Sequence, residues 1–462
     1  MQQMTSTGPA APSAPSAPSA ADALPVAVIG AGPVGLAAAA HLLEHGIEPL
    51  ILEAGDDVGA AIRQWGHIRL FSPWRYDLDS ASTRLLEAAG WEPPRPTALP
   101  WGREIVEDYL EPLAQVPAIR DRLRTRSRVV AVTRGSRDKT HVRGREGAPF
   151  VLRVQRRTEA GLQVDEVRAR AVIDATGTWS APNPLGAAGL PALGEDAPGV
   201  VPHLTGALPD VLGEERQRFA GRHTLVVGAG HSATNTLLNL AQLAREEPGT
   251  QVHWAIRGQD PGRTYGGRDA DGLPARGMLG TRLQRAVESG AVQLHAQASV
   301  SALRPVEDGK GHGVVVTVGD GDSARELTVD TVVAATGFRP ELDMLRELRL
   351  ELDPAVEAPV RLAPLIDPEI HSCGTVPAHG ADVLAHPEDG FFLAGMKSYG
   401  RAPTFLLATG YEQVRSIAAH LAGDDAAARD LALPETGVCS VAAPEPELIG
   451  VPTGVAHGRT GD

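Results

Sequence analysis

Two stretches of this chain share one design, and that duplication limits what the chain can fold into. "PVAVIGAGPVGLAAAAHLL" starts at Pro25 and "HTLVVGAGHSATNTLLNL" starts at His223. Each reads as a short apolar strand, a glycine-rich turn and a helix, the frame that cradles a diphosphate. "IEPLILE" and "QVHWAIRG" supply the second strand of each unit. At 462 residues the chain is long enough for two or three domains, and the pattern places them in the α/β class.

The first turn is Gly30-x-Gly32-x-x-Gly35. Gly30 permits the tight bend, Gly32 lets backbone approach a pyrophosphate, and Gly35 lets the helix close on the strand. The helix N-terminus adds free N–H groups and a partial positive charge. Glu53 ends the next strand, where a carboxylate binds ribose hydroxyls and repels a 2′-phosphate, so this site favours FAD or NAD. The second turn is Gly228-x-Gly230-x-x-Ala233, and its following strand leads to Arg257. A guanidinium there suits a 2′-phosphate, which favours NADPH; the alternative is a solvated charge at a strand end. Two bound redox nucleotides make sense if electrons pass between them, which means a flavin and a nicotinamide.

Composition excludes several other classes. A formal charge of −14 argues against a general nucleic-acid binder. No run of about twenty apolar residues suggests a membrane span. The start, "MQQMTSTGPAAPSAPSAPSAADA", lacks the basic and apolar regions of a signal peptide and reads as a disordered leader. Cys373 and Cys439 are the only cysteines and have neither Cys-x-x-Cys nor zinc spacing, so no metal site is expected and a reducing, cytoplasmic setting is the default.

Along the chain, "SRVVAVTR" and "FVLRVQRR" alternate like an antiparallel layer, and "RARAVIDATGTW" returns to a buried strand. "GVVVTVG" and "ELTVDTVVAATGF" read as a second ladder, and a strand, a loop and a long helix starting near Pro403 follow. "DATGTWSAP" from Asp174 and "AATGFRP" from Ala334 each end a strand in an Ala-Thr-Gly turn.

With the two glycine turns, these paired turns resemble the flavoproteins with two dinucleotide-binding domains. That superfamily includes flavin-containing (class B) monooxygenases, Baeyer–Villiger enzymes and thioredoxin-reductase-like enzymes. More loosely, the chain looks like flavin monooxygenases encoded in bacterial arsenic-resistance operons. The resemblance covers roughly Leu24 to Leu433 and implies an NADPH domain inserted in a split FAD domain, both Rossmann-like. The implied organisation is a leader at 1–23, the first FAD part at 24–180 and a linker at 181–217. The NADPH domain follows at 218–330, the second FAD part at 331–433 and a flexible tail at 434–462. It further implies that Gly30, Gly32, Gly35 and Glu53 bind FAD, with Thr176 and Gly177 at the domain crossing and Gly395 at the ribityl chain. Gly228, Gly230, Ser232 and Arg257 would bind NADPH, and Pro33, Trp65, Val129, His231, Gly337 and Thr404 complete the expected cofactor-binding set.

The chain departs from the monooxygenase pattern in several places. The Phe-x-Gly-x-x-x-His fingerprint survives only as Gly199-x-x-x-His203, with Ala197 and Ala207 at the aromatic positions. The late Gly-Asp is Gly395-Met396. The three Asn residues, Asn183, Asn235 and Asn239, stand where none can support an oxygenated flavin, and Ser72 in "RLFSPWRY" is the nearest substitute. Arg69 lies in the same segment, and Lys397, one of three lysines in the chain, is a candidate point charge toward flavin or substrate. Ser72, Arg69 and Lys397 are therefore the expected catalytic residues. The expected activity is NADPH-dependent monooxygenation of a small soft nucleophile, a sulfur, nitrogen or arsenic centre, through the C4a-hydroperoxide of reduced flavin. The expected partners are a small-molecule substrate and O2, and a homodimer is compatible with the reading. The alternative is an NADPH-dependent thiol, disulfide or metalloid reductase using Cys373 and Cys439; a nucleotide-sensing flavoprotein without turnover is the non-enzymatic reading.

Overall fold

In the computed structural model, residues 23–306, 313–319, 321–367, 376–402 and 405–433 are described. The expected leader, apart from residue 23, and the expected tail lie outside them. Two five-stranded parallel sheets organise the chain. The first runs Phe391–Leu393, Ala171–Asp174, Val26–Ile29, Pro49–Leu52 and Leu123–Arg124. The second runs Gln293–His295, Gln251–Ala255, His223–Val227, Thr331–Ala334 and Leu204–Thr205. In each, the strand before the glycine turn is central, so the turn opens at the carboxyl edge of a sheet flanked on both sides.

The two sheets are covered in the same way. Side chains alternate along a strand, so one set of residues faces each layer. Val26 and Val28 pack with the helices Pro33–Glu44 and Leu407–Leu421, whereas Ala27 and Ile29 pack against an antiparallel layer of Ser127–Arg134, Phe150–Thr158 and Gly161–Ala169. In the second unit Val226, Val252 and Trp254 pack with the helix His231–Glu246. Leu225, Val227 and Val332 face the layer of Val300–Pro305, Val314–Val318 and Arg325–Val329. Duplication thus extends from the turn to the whole three-layer unit.

Two boundaries differ from the sequence expectation. "ELTVDTVVAATGF" is not one strand: Asp330 accepts the His223 N–H at 2.8 Å and separates Arg325–Val329 from Thr331–Ala334. Thr331–Ala334 pairs with His223–Val227, so the second sheet extends past the expected boundary at 330 and draws Leu204–Thr205 out of the expected linker. The strand Gly161–Ala169 had no clear sequence signal because it is an edge with most of its residues exposed. No helix among the described residues is long and apolar enough to cross a membrane.

Candidate dinucleotide sites and the seam between them

Each glycine turn is fixed by contacts that only glycine permits. Gly30 has φ +99°, and a Cβ there would lie 2.9 Å from the Ala175 carbonyl oxygen. Gly228 has φ +135°, and its Cβ would lie 2.1 Å from the Ala335 carbonyl oxygen. Each phosphate turn therefore nests on the Ala-Thr-Gly turn of the neighbouring strand. Gly32 and Gly230, by contrast, have open space where a Cβ would stand. They are also the N-cap residues of the helices Pro33–Glu44 and His231–Glu246, neither of which has a side-chain cap. Pro33 and His231 open those helices, and Ser232 lies in the first turn of the second. Uncapped N–H groups beside an open glycine backbone fit a diphosphate.

The two strand-end residues differ in their surroundings. Glu53 is buried; one carboxylate oxygen accepts the Ala31 N–H at 2.6 Å and the other accepts the Gly55 N–H at 2.6 Å. Glu53 therefore braces the first turn itself, a role the spacing alone did not reveal. Arg257 is exposed and donates to the Ala187 carbonyl at 3.1 Å. Val129 stands at a register shift of its strand, with its side chain in the core.

The two crossings between the sheets are bonded to each other. Asn183 donates to the Thr336 carbonyl at 3.1 Å, and the Thr336 hydroxyl donates to the Asn183 carbonyl at 2.7 Å. The Asn183 N–H also donates to the Gly337 carbonyl at 2.9 Å, and the Arg339 N–H donates to Ala181 at 3.0 Å. Just beyond Gly177 and Gly337, Trp179 and Phe338 stack with ring centres 4.8 Å apart, and Trp65 lies 6.5 Å from Trp179. Phe71 of the first unit meets His231 of the second at 4.9 Å, with the Arg276 guanidinium 5.9 Å from the Phe71 ring. Burial and the Arg276 charge push the His231 pKa down to about 4, so its ring is neutral against Phe71 near pH 7. The buried Asp271–Arg276 pair, with contacts of 2.8 Å, holds that cation in place. Arg276 was not marked by any motif, and the segments holding Phe71, Asn183 and Thr336 did not reveal these contacts, because they depend on which strand ends the topology brings together.

The three expected catalytic residues are not joined. Arg69 is exposed, donates to the Leu99 carbonyl at 3.3 Å and lies 6.0 Å over the Trp101 ring. Ser72 is buried and donates to Asp77 at 2.8 Å. Lys397 is fully buried; its ammonium lies 2.7 Å from Asp174 and 3.0 Å from the Thr176 hydroxyl. Its charge is thus already paired, and Thr176 in turn donates its hydroxyl to Asp174 at 2.7 Å. Gly395 has φ +68°, a Cβ there would stand 3.2 Å from the Val34 side chain in the first turn of the first helix, and its N–H donates to Gln413 at 2.8 Å. Thr404, Pro403, Cys373 and Cys439 lie outside the described residues, and the last long helix is described from Leu407. No group of three metal-ligating side chains was found among the described residues.

Comparison with known proteins gives a consistent result. The family model for pyridine nucleotide-disulphide oxidoreductases matches residues 24–376. A ferredoxin–NADP reductase of Ignicoccus hospitalis is 27% identical over 327 residues, covering 70% of this chain and 81% of that protein. Bacillithiol disulfide reductase of Bacillus cereus superposes with a TM-score of 0.63 at 20% identity, covering 87% of this chain and 99% of that one. The FAD-bound cadaverine monooxygenase of desferrioxamine biosynthesis from Erwinia amylovora gives 0.57 at 15% identity, with 95% and 99% covered. At these identities the two structural likenesses concern the fold.

Proposed function

Because the chain belongs to the pyridine nucleotide-disulphide oxidoreductase family, we propose that it is an NADPH-dependent flavoprotein monooxygenase acting on a small soft nucleophile. By family it is an oxidoreductase using FAD and NADP(H). Gly30, Gly32, Gly35 and Glu53 would hold the FAD diphosphate and ribose, and Gly228, Gly230, Ser232 and Arg257 would hold NADPH. When bound, the flavin supplies hydride acceptance and oxygen activation. The residues of the chain supply position: two cradles at the carboxyl edges of two sheets, joined through crossings that are bonded together.

One observation carries the oxygenase reading over the reductase reading. Between the two units gather four aromatic rings, Trp65, Phe71, Trp179 and Phe338. Half-buried apolar rings at that position would limit water around a bound flavin, as oxygen transfer needs. The test is NADPH oxidation with oxygen uptake in the presence of sulfide, amine and arsenite probes. The expected result is oxygen-dependent turnover that yields oxygenated probe and persists in the Cys373→Ser/Cys439→Ser double variant. Anaerobic NADPH oxidation driven by a disulfide, and lost in that variant, would establish the reductase instead.

Arg257 gives a sharper test of the second cradle. A charge-assisted bond to phosphate contributes about 1.5–3 kcal/mol, and tenfold in affinity corresponds to about 1.4 kcal/mol. Arg257→Ala is therefore expected to raise KM for NADPH about 10–100-fold and to leave KM for NADH nearly unchanged. Equal effects on both cofactors would remove the 2′-phosphate assignment.

A further inference from the structure

Beside the seam lies a buried acid that the proposed chemistry has not used. Asp77 is 1% exposed and accepts from the Ser72 hydroxyl at 2.8 Å, while its second carboxylate oxygen is buried with no hydrogen-bond partner. Its backbone is fixed from another element, since the Tyr411 hydroxyl, in the first turns of the helix Leu407–Leu421, donates to the Asp77 carbonyl at 2.8 Å. Ser72 directly follows Phe71, whose ring touches His231, so the pair sits one residue from the contact between the two units.

Among the described residues, no cation compensates Asp77. Asp79, two residues on, is paired with His41 at 2.8 Å and caps the helix Ser80–Ala88. Tyr109 and Tyr411 face it from the two packed helical segments, and both are buried phenols pushed up by desolvation. The Arg75 guanidinium lies over the Tyr76 ring at 4.8 Å. An isolated buried carboxylate is costly, so burial raises the Asp77 pKa to about 8, with the Ser72 bond opposing the rise.

A carboxylate only accepts hydrogen bonds, so Ser72 must then donate to it and can present only lone pairs elsewhere. A carboxylic acid can instead donate to the Ser72 oxygen, which frees the serine proton to point away from Asp77. We propose that Asp77 is a positioning residue that sets whether Ser72 offers a donor or an acceptor to the group bound at the seam. This inference rests on the reading that Ser72 borders the bound flavin. In its acid form Asp77 directs the Ser72 proton toward an electron-rich oxygen or ring nitrogen, and in its ionised form it withdraws that proton.

The experiment follows the infrared carbonyl band of a protonated carboxyl group and the flavin absorption spectrum of the loaded protein between pH 6 and 9.5. A band that disappears with a midpoint near pH 8 is expected, with the flavin spectrum changing at the same midpoint. Asp77→Asn should lack the band and the spectral change, and its kcat should stay flat where the wild type falls about tenfold per pH unit above the midpoint. Ser72→Ala, the second variant should Asp77→Asn fail to fold, should keep the band at a shifted frequency and lose the flavin response. Absence of the band at pH 6–7, or a band that titrates while the flavin spectrum ignores it, would overturn the inference. A titrating band and flavin response without oxygen transfer to any probe would leave Asp77 in this role and remove the oxygenase reading instead.

Discussion

Gly35→Ala is expected to yield protein that purifies without flavin colour and unfolds at lower temperature. A Cβ at this position would stand 2.0 Å from the Gly30 carbonyl oxygen, which is backbone and cannot rotate aside. Gly30 itself is held against Ala175 and Thr176, so the strain has to move the helix Pro33–Glu44 off its strand. Overpacking of this kind costs typically about 1–3 kcal/mol, and the displaced helix no longer aims its N–H groups at the diphosphate. The second unit provides the control, because Ala233 already occupies the equivalent place and is fully buried. Ala233→Gly should therefore keep NADPH binding and lose only about 0.5–1 kcal/mol of stability. Stoichiometric flavin and an unchanged Tm in Gly35→Ala would mean that the turn is not built as described.

Lys397→Ala is expected to lower the unfolding free energy by about 3–5 kcal/mol, the usual cost of stranding one partner of a buried ion pair. Asp174 would be left fully buried, with only the Thr176 hydroxyl and N–H as donors. Replacing both charges, as Lys397→Met with Asp174→Leu, should recover most of the loss, since neither group then remains unpaired. Urea unfolding of the three variants reads this directly. A single variant losing under about 1 kcal/mol would show that Lys397 is not locked to Asp174.

The readable part of the molecule was the part with a short period. Strand, turn and helix around Gly30 and around Gly228 follow from local spacing, and so does the alternation of Ser127–Arg134 against Phe150–Thr158. Legibility ended where a property depends on distant chain. Lys397 read as a point charge aimed at flavin or substrate, and nothing local marks Asp174, 223 residues earlier, as its partner. "TVDTVV" reads as one strand, and only the bond from the His223 N–H to Asp330 shows why it breaks. Asn183 was considered for flavin chemistry and set aside, and its bond to Thr336 across 153 residues could not be anticipated from spacing.

That bond gives the two crossings a shared fate. Asn183 and Thr336 tie the outgoing and returning strands into a ribbon, so neither can bend without the other. If, as proposed, the second unit carries NADPH, any rotation of it about these crossings would be confined close to one axis, like a door on paired leaves. Such a joint would restrict the angles from which a nicotinamide could arrive.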